Sequence, residues 1–350
     1  MWLHETRAHV IISKDAALYV KWGPMSIHEP TFSAITQTRA YDPTIRSANR
    51  HYGQRKLALD EIDFLTRVCN VDNNDHVYVI YAGAAPGVKT AYVASLFPRV
   101  RLLMIDPADF DIKPHANVST YACAVDELTL DIITQHNITC VQTFMNPRMI
   151  AKIRALMLPC LYFISDVRTA CYHDDPEDSD ICYNMAQQYN WIRALEPALS
   201  ILKFRHPFYN QSTREFQRET NSILMQSELK PAREDGLDII ANYRADKLVF
   251  FDGELVLQAW APNTSAETRL ITDGKKLRIW GSHLVYEGKM FYYNTSIRRG
   301  VEFDTKPVAG MCNCADCALE KSIWEKYSPD GDIQKCVDDL SIMCDRKPHA

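Results

Sequence analysis

The chain has 350 residues, of which 47% are hydrophobic, and its formal net charge is −5. This length and apolar content allow a large buried core, and the mild negative charge excludes a uniformly basic nucleic-acid-binding surface, so any basic surface must be local. No apolar run approaches the length of a transmembrane helix, and the N-terminal residues lack the apolar core of a secretory signal, so we expect neither membrane association nor secretion.

The first part of the chain is predicted to be an irregular arm followed by a helix. Residues 1–50 contain several prolines and many Thr, Ser and Arg residues, and we interpret them as an N-terminal arm with one short strand near residues 9–13. Leu59, Ile62, Leu65 and Val68 then share one face of a predicted helix over residues 55–69. This helix lies near the start of the predicted main domain, residues 51–300.

Strands and helices then alternate along the chain. Runs of β-branched and aromatic residues predict strands, and segments with helical periodicity predict helices. The predicted strands are residues 76–82, 102–105, 139–142, 161–165 and 200–204, and the predicted helices are residues 88–96 and 184–199, the second broken or kinked near Pro197. This alternation indicates an α/β fold, a doubly wound and mainly parallel twisted sheet with helices on both faces.

The second half of the chain changes character twice. Residues 209–246 are polar and are predicted to be an insertion outside the sheet. From residue 247 the pattern becomes β-rich, in the segments LVFF, ELVLQAW, TRLIT, KLRIW and MFYY. Residues 301–350 are predicted to form an acidic C-terminal tail that contains cysteines.

A small-residue turn, YAGAAPGVKT, connects the first buried strand to a helix. Gly83 and Gly87 would let the backbone approach a ligand where a Cβ would clash, and Pro86 would stiffen the turn. In a doubly wound sheet, ligands bind at the carboxyl ends of the strands, and Asp106, about twenty residues further at a strand end, could accept hydrogen bonds from both hydroxyls of an adenosine ribose. Taken alone, the turn also fits a tight connection in any α/β domain, and Asp106 also fits a helix cap.

Four charged residues in separate segments form a pattern with this turn: Lys56 in YGQRKL, Asp166 in FISDVR, Lys203 in ILKFRHPF and Glu267 in APNTSAETRL. Lys203 lies inside an apolar run, where burying a lone ammonium group would be costly. A nearby carboxylate would stabilise its charge, whereas burial and a second lysine would favour its neutral form, a balance that suits base chemistry on a ribose hydroxyl. Each residue also has a simpler interpretation when taken alone. Lys203 could be a surface lysine on an edge strand, Asp166 could cap a loop, and Glu267 could pair with Arg269 on a surface.

Seven segments resemble, in order, the poxvirus cap-specific mRNA 2′-O-methyltransferases, which double as the poly(A) polymerase small subunit, and their giant-virus relatives. They span residues 52–294 and read YGQRKLALDEIDFL, YAGAAPG, LLMID, FISDVR, LKFRHPF, APNTSAETRL and YEGKMFYYN. The resemblance implies a Rossmann-like methyltransferase fold, S-adenosylmethionine as cofactor and the capped 5′ end of mRNA as substrate. It also implies methylation of the first transcribed nucleotide, from cap-0 to cap-1, and a poly(A) polymerase catalytic subunit as a partner.

The resemblance implies catalytic and cofactor roles for individual residues. Lys56, Asp166, Lys203 and Glu267 fall on the catalytic tetrad, in which Lys203 activates the ribose 2′-hydroxyl. Ala108 stands where the family has a cofactor-side arginine. The cofactor-contact positions are occupied by Gln54, Tyr81, Gly83, Ala85, Gly87, Asp106, Val125, Asp166 and Arg168.

The resemblance also implies a cap pocket. Phe208 would stack on the positively charged methylguanine, Glu287 would accept from the N–H edge of that base, and Tyr41 in AYDPT would supply a second stacking face. Thr264 replaces a tyrosine of this pocket and Asn210 replaces its second carboxylate, two changes that weaken the expected affinity for the cap.

The eleven cysteines lack the pattern of a disulfide-stapled scaffold, so we expect an intracellular, cytoplasmic protein with reduced thiols. Cys312, Cys314 and Cys317, with Cys336 and Cys344 downstream, have a spacing that is compatible with zinc binding. The alternative is ordinary reduced thiols on the surface or in the core.

Two other functions fit the resemblance. One is a noncatalytic RNA-binding processivity subunit of a poly(A) polymerase, and the other is a 2′-O-methyltransferase for uncapped or ribosomal RNA. The intact tetrad and turn favour catalysis over binding alone. Phe208 together with Glu287 favours capped mRNA over ribosomal RNA.

Overall fold

The computed structural model describes residues 9–11, 19–21, 30–42, 44, 52–169, 178–207, 248–345 and 348. The predicted insertion, residues 209–246, lies outside these ranges, as do Phe208 and Asn210. Within the described ranges, no helix combines the length and the apolar character needed to span a bilayer.

The described residues form twelve strands and a set of helices. The strands are β1 His9–Ile11, β2 Tyr19–Lys21, β3 Val77–Ala82, β4 Val100–Asp106, β5 Thr120–Ala122, β6 Ile138–Gln142, β7 Leu161–Ser165, β8 Leu199–Phe204, β9 Leu248–Phe251, β10 Glu254–Val256, β11 Thr268–Thr272 and β12 Leu277–Trp280. The main helices are α1 Gly53–Val71, α2 Thr90–Leu96, α3 Leu130–Gln135, α4 Pro147–Ala155, α5 Asp178–Leu195, α6 His283–Tyr292, α7 Ala315–Tyr327 and α8 Ile333–Met343. A 3₁₀ turn at Phe32–Ala34 precedes α1, and a π-helical turn at Tyr293–Ile297 and a short helical segment at Arg298–Gly300 follow α6.

Eight strands form the main sheet, in the order β10-β11-β8-β7-β3-β4-β6-β5. The strands from β8 to β5 are parallel, and β11 and β10 complete one edge in antiparallel pairing. Strand β3 pairs with β4 on one side and with β7, which comes later in the chain, on the other side, so the strand order reverses at β3. In open α/β sheets, ligands bind in the crevice at the carboxyl ends of the strands where the order reverses. The predicted α/β fold with a mainly parallel sheet is confirmed.

The chain divides into two compact units. One unit comprises Met1–Asp63, Leu257–Ala266 and Glu287–Ala350, and the other comprises Phe64–Val256 and Glu267–Tyr286. The second unit, called here the sheet unit, contains all eight strands of the main sheet. The first unit combines the beginning of α1 with the C-terminal helices, so residues 301–345 are an integral part of it.

Buried charge holds the first unit together. The guanidinium of Arg55 forms a salt bridge with Glu320, and Nε donates to Oε2 at 2.8 Å. The same carboxylate accepts from the indole nitrogens of Trp260, at 2.7 Å, and Trp324, at 3.3 Å. Because Arg55 and Glu320 are 1% and 0% exposed, these partners offset a large desolvation cost.

Several predicted element boundaries were wrong for local reasons. Helix α5 ends at Leu195, and Glu196 after it adopts a left-handed conformation with φ of 49°, so the predicted break near Pro197 is present but the helix does not continue to residue 199. The MFYY segment, predicted to be a strand, lies in α6 and the π-helical turn after it. Aromatic content favours strands only weakly, and packing of the surrounding residues overrides it.

Candidate active site

Lys203 lies between two carboxylates at one edge of the main sheet. Its Nζ is 3.1 Å from Oδ1 of Asp166 and 3.6 Å from Oε2 of Glu267. Asp166 directly follows β7, and Glu267 directly precedes β11, whose first residue pairs with the last residue of β8. The three side chains are 12–16% exposed, so they are largely shielded from water but remain accessible. The sheet thus brings together three members of the predicted tetrad.

Arg269 is a fourth charged residue of this cluster, and the sequence offered it only as an alternative surface partner of Glu267. Its side chain is 3% exposed, and Nη2 donates to Oδ1 of Asp166 at 2.8 Å. Arg269 lies opposite Lys203 in the antiparallel register of β8 and β11. Because residues two apart on a strand share a face, its spacing from Glu267 was a signal for this position. Asp166 therefore contacts two cations, and Arg168, half-exposed, approaches Glu267 at 3.9 Å.

Gln188 fixes the backbone at Lys203, and nothing in the sequence singled it out. The register of β7 with β8 ends at the Ser165–Leu202 pair, so Lys203 lies one residue beyond it. The fully buried side chain of Gln188, on α5, donates to the carbonyl of Lys203 at 2.9 Å and accepts from its N–H at 3.0 Å. The side-chain amide of Gln188 thus supplies the backbone hydrogen bonds that β7 does not provide to Lys203, because the chain leaves the sheet at Asp166.

The glycine turn after β3 packs against the chain that follows β7. Gly83 and Gly87 have φ of 76° and 68°, a region that favours glycine. A Cβ on Gly83 would lie 2.7 Å from the backbone nitrogen of Val167 and 2.9 Å from the carbonyl carbon of Asp166. Glycine is therefore required at position 83 because the backbone of residues 166–167 lies so close to it. The sequence suggested a different reason, the close approach of a ligand, and the two reasons are compatible. This contact also fixes the start of the Asp166 segment.

The remaining predicted cofactor residues of the sheet unit lie at or near the same edge. Asp106 ends β4, where its carboxylate accepts from the backbone N–H of Ala85 at 3.1 Å and of Ala108 at 2.8 Å. Each carboxylate oxygen can accept a further hydrogen bond, so ribose hydroxyls remain compatible with this position. Tyr81 is a buried residue of β3, and Val125 is half-buried in the loop between β5 and α3.

The other predicted site residues belong to the first unit. Lys56 and Gln54 lie on the first turns of α1, with Lys56 buried and Gln54 exposed. Tyr41 is 64% exposed and meets Phe291 edge-on, with ring centroids 5.3 Å apart. Glu287 is half-buried on α6, the helix that carries Phe291. Two of the three predicted cap-pocket residues therefore lie on neighbouring segments of one unit, and the third, Phe208, is outside the described residues.

The first unit also contains a cluster of thiols. The Sγ atoms of Cys312, Cys314 and Cys317 all lie within 4.8 Å of one another, and Cys336 is not part of this group. A hydrogen bond from Cys317 is the main reason that the pKa of Cys314 falls to about 5, and the same bond raises the pKa of Cys317. The hydrogen bonding within the cluster therefore favours the thiolate form at Cys314.

The strand order, the glycine turn and the charged cluster at the carboxyl ends of the strands define a Rossmann-like methyltransferase fold. The chain belongs to the family described as poly A polymerase regulatory subunit, which matches residues 27–307. This finding confirms the resemblance seen in the sequence.

Two viral relatives illustrate the similarity. The cap-specific mRNA (nucleoside-2′-O-)-methyltransferase of Myxoma virus (strain Lausanne) is 26% identical over 295 residues, covering 79% of this chain and 72% of the relative. The protein of the same name from Fowlpox virus (strain NVSL) is 27% identical over 289 residues, covering 78% of this chain and 77% of the relative.

Proposed function

We propose that this protein transfers a methyl group from S-adenosylmethionine to the ribose 2′-hydroxyl of the first transcribed nucleotide of capped mRNA, which converts cap-0 to cap-1. The observation that carries the proposal is the position of Lys203 between Asp166 and Glu267 at the carboxyl edge of the sheet. The names of the viral relatives support the cap as the substrate. None of the ten described cysteines forms a disulfide, which supports an intracellular, cytoplasmic location.

The cofactor would be held by the glycine turn and Asp106. The carboxylate of Asp106 is already fixed by two backbone N–H groups, so its free lone pairs are oriented before a ribose arrives. S-adenosylmethionine supplies a methyl group on a sulfonium, which needs no metal activation. The resemblance assigns further contacts to Gln54 and Arg168.

Lys203 would take part in the proton transfer. As the 2′-oxygen attacks the methyl carbon, the carbon–sulfur bond breaks and the hydroxyl loses its proton, which Lys203 would accept or stabilise. Asp166 and Glu267 would hold the amine in line with the hydroxyl, and Arg269 would balance the charge of Asp166. The resemblance assigns Lys56 the role of the second lysine, stabilising oxyanion charge. Most of the rate would come from positioning.

The cap would be recognised by aromatic stacking and one carboxylate. A methylated guanine carries a positive charge, and an exposed ring such as that of Tyr41 offers a face for a cation–π contact. Glu287 would accept from the base, and Phe208 is proposed as the second ring.

The direct test compares three RNAs of one sequence, in a methyl-transfer assay with labelled cofactor. One RNA carries a cap-0 end, the second carries a 5′-triphosphate, and the third carries a cap with its first ribose already 2′-O-methylated. We expect label only on the cap-0 RNA, at the first nucleotide. Equal labelling of the triphosphate RNA would instead support the ribosomal or uncapped substrate, and no label on any RNA would support the binding-only function.

A second function is favoured by the family description, which names a regulatory subunit of poly A polymerase. We propose a poly(A) polymerase catalytic subunit as a partner that needs the RNA-binding surface but not the Lys203 cluster. Tail extension by such a polymerase should lengthen in the presence of this protein, and a variant inactive in methyl transfer should stimulate it equally.

Asp106→Ala should weaken binding of S-adenosylmethionine by about 10–100-fold, because hydrogen bonds to a charged acceptor contribute roughly 1.5–3 kcal/mol. Titration calorimetry measures the dissociation constant. Asp109→Ala is the matched control, because Asp109 lies on the same loop and its carboxylate accepts from the side chain of Gln142 at 2.7 Å.

The Asp106 substitution also removes the hydrogen bonds from the backbone N–H groups of Ala85, in the turn, and Ala108, in the loop after β4, so the role of the ribose needs a separate measurement. The test ligands are the cofactor product and an analogue of it that lacks both ribose hydroxyls. Wild-type protein should bind the analogue more weakly than the product, whereas Asp106→Ala should bind the two ligands equally. If the variant still discriminates between the two ligands, Asp106 only supports the turn.

A further inference from the structure

The thiol cluster of the first unit has the dimensions of a metal site. The Sγ atoms of Cys312 and Cys317 are 3.8 Å apart, far longer than the bond of about 2.05 Å in a disulfide. Two sulfurs that each lie about 2.3 Å from a tetrahedral zinc ion are separated by about 3.8 Å. The third sulfur, of Cys314, lies within 4.8 Å of both. The three thiols thus occupy positions compatible with three corners of a zinc tetrahedron.

The loop that carries the cluster is held in place by contacts outside the thiols. Lys321, 1% exposed, donates from Nζ to the carbonyl of Cys312 at 3.2 Å, to Oδ1 of Asn313 at 3.2 Å and to Oγ1 of Thr305 at 3.0 Å. The backbone N–H of Phe303 donates to the carbonyl of Asn313 at 2.8 Å. This buried ammonium would also offset part of the negative charge of three thiolates.

Two backbone features favour negative sulfur at this position. The N–H of Cys314 points at Sγ of Cys312, at 3.4 Å, a contact that stabilises a thiolate. Helix α7 begins directly after Cys314 and has 13 residues, and the N-terminus of a helix favours negative charge. Cys317 lies in the first turn of this helix and is fully buried, whereas Cys312 is exposed.

We propose that Cys312, Cys314 and Cys317 bind one zinc ion through three thiolates, with the fourth position open to a solvent ligand on the exposed side of Cys312. The predicted fourth ligand, Cys336, lies outside the cluster. The ion would join the loop after residue 303 to the start of α7 and would have no part in methyl transfer. Its role would be to stabilise the segment that positions Glu320, the buried partner of Arg55.

Elemental analysis of full-length protein, purified without chelator and without a metal-binding tag, tests the proposal. We expect a single zinc ion per chain in the wild type and in Cys336→Ser, the matched control, and a large loss of zinc in Cys312→Ser and in Cys314→Ser. Both variants leave the buried Cys317 intact, and circular dichroism verifies that they fold. Absence of zinc from folded wild-type protein, retention in both variants, or equal loss in Cys336→Ser would overturn the proposal.

A second measurement separates zinc from the other chemistry of neighbouring thiols. Replacement of the ion by cobalt should produce thiolate-to-metal charge-transfer absorption that disappears in Cys312→Ser. A strong chelator should lower the unfolding temperature of the wild type, and added zinc but not magnesium should restore it. Mass spectrometry that instead finds a Cys312–Cys317 disulfide in folded, metal-free protein would replace the metal site with a redox pair.

Discussion

Lys203→Met should reduce methyl transfer to cap-0 RNA by about 100-fold or more, because a positioned acid–base group typically contributes roughly 10²–10⁴-fold to the rate. Methionine keeps the length and packing of the side chain and removes the amine. Binding of S-adenosylmethionine should change little, because the amine contacts Asp166 and Glu267 and is assigned to the substrate hydroxyl. Single-turnover kinetics with saturating RNA, together with calorimetry of cofactor binding, measures both quantities.

Two further variants make the assignment of Lys203 specific. Lys113→Met removes an exposed lysine that pairs with Asp111 in the same unit, and should leave turnover unchanged. Lys203→Arg retains the positive charge but cannot release a proton, so it should be nearly as inactive as Lys203→Met if Lys203 accepts the proton. Substantial rescue by arginine would limit Lys203 to electrostatic stabilisation, and more than about a tenth of wild-type turnover in Lys203→Met would contradict both roles.

Glu320→Gln should destabilise the first unit by about 3–5 kcal/mol, the usual cost of leaving one partner of a buried ion pair without its counter-charge. The substitution preserves the shape of the side chain but leaves the guanidinium of Arg55 buried without a carboxylate. Equilibrium unfolding in urea, followed by tryptophan fluorescence, measures the change, because Trp260 and Trp324 both donate to this carboxylate.

The double variant Arg55→Met with Glu320→Gln distinguishes charge from packing. It removes both charges and leaves an amide oxygen as acceptor for one of the two indole N–H groups, which donate to different oxygens of Glu320, so it should recover part of the stability lost in the single variant. Glu254→Gln is the exposed control, because its pair with Arg67 is 56% and 29% exposed and such pairs contribute about 1 kcal/mol or less. If Glu320→Gln and Glu254→Gln have equal effects, the buried pair does not hold the unit together.

The fold and part of the charged cluster could be predicted from the sequence, because some charged residues come directly after an apolar strand. Asp106 and Asp166 each end an apolar run, so the carboxyl edge of a parallel sheet was expected to bring their segments near each other. The association of Asp166, Lys203 and Glu267 came from the family resemblance, because antiparallel pairing between β8 and β11 cannot be read from either strand alone. Whether these residues catalyse methyl transfer remains a prediction.

The supporting residues were missed because their partners are distant in sequence. Gln188 has no local pattern that marks it, and its role arises only because β7 leaves β8 one residue before Lys203. Arg269 was considered only as an alternative surface partner of Glu267, yet strand pairing buries it against Asp166. The C-terminal helices were also missed, since the acidic character of residues 301–350 suggested a tail and their burial depends on contacts with α1.

The salt bridge between Arg55 and Glu320 has a consequence for synthesis on the ribosome. Its two residues are 265 positions apart, so the start of α1, where Lys56 lies, cannot acquire its buried partner until the last part of the chain has emerged. At about 5–20 residues per second, this delay is on the order of 10–50 s. Nascent chains should therefore contain a complete main sheet while Arg55 is still without its counter-charge, and a ribosome stalled before codon 320 should display a protein in which the N-terminal part of α1 is accessible to proteases.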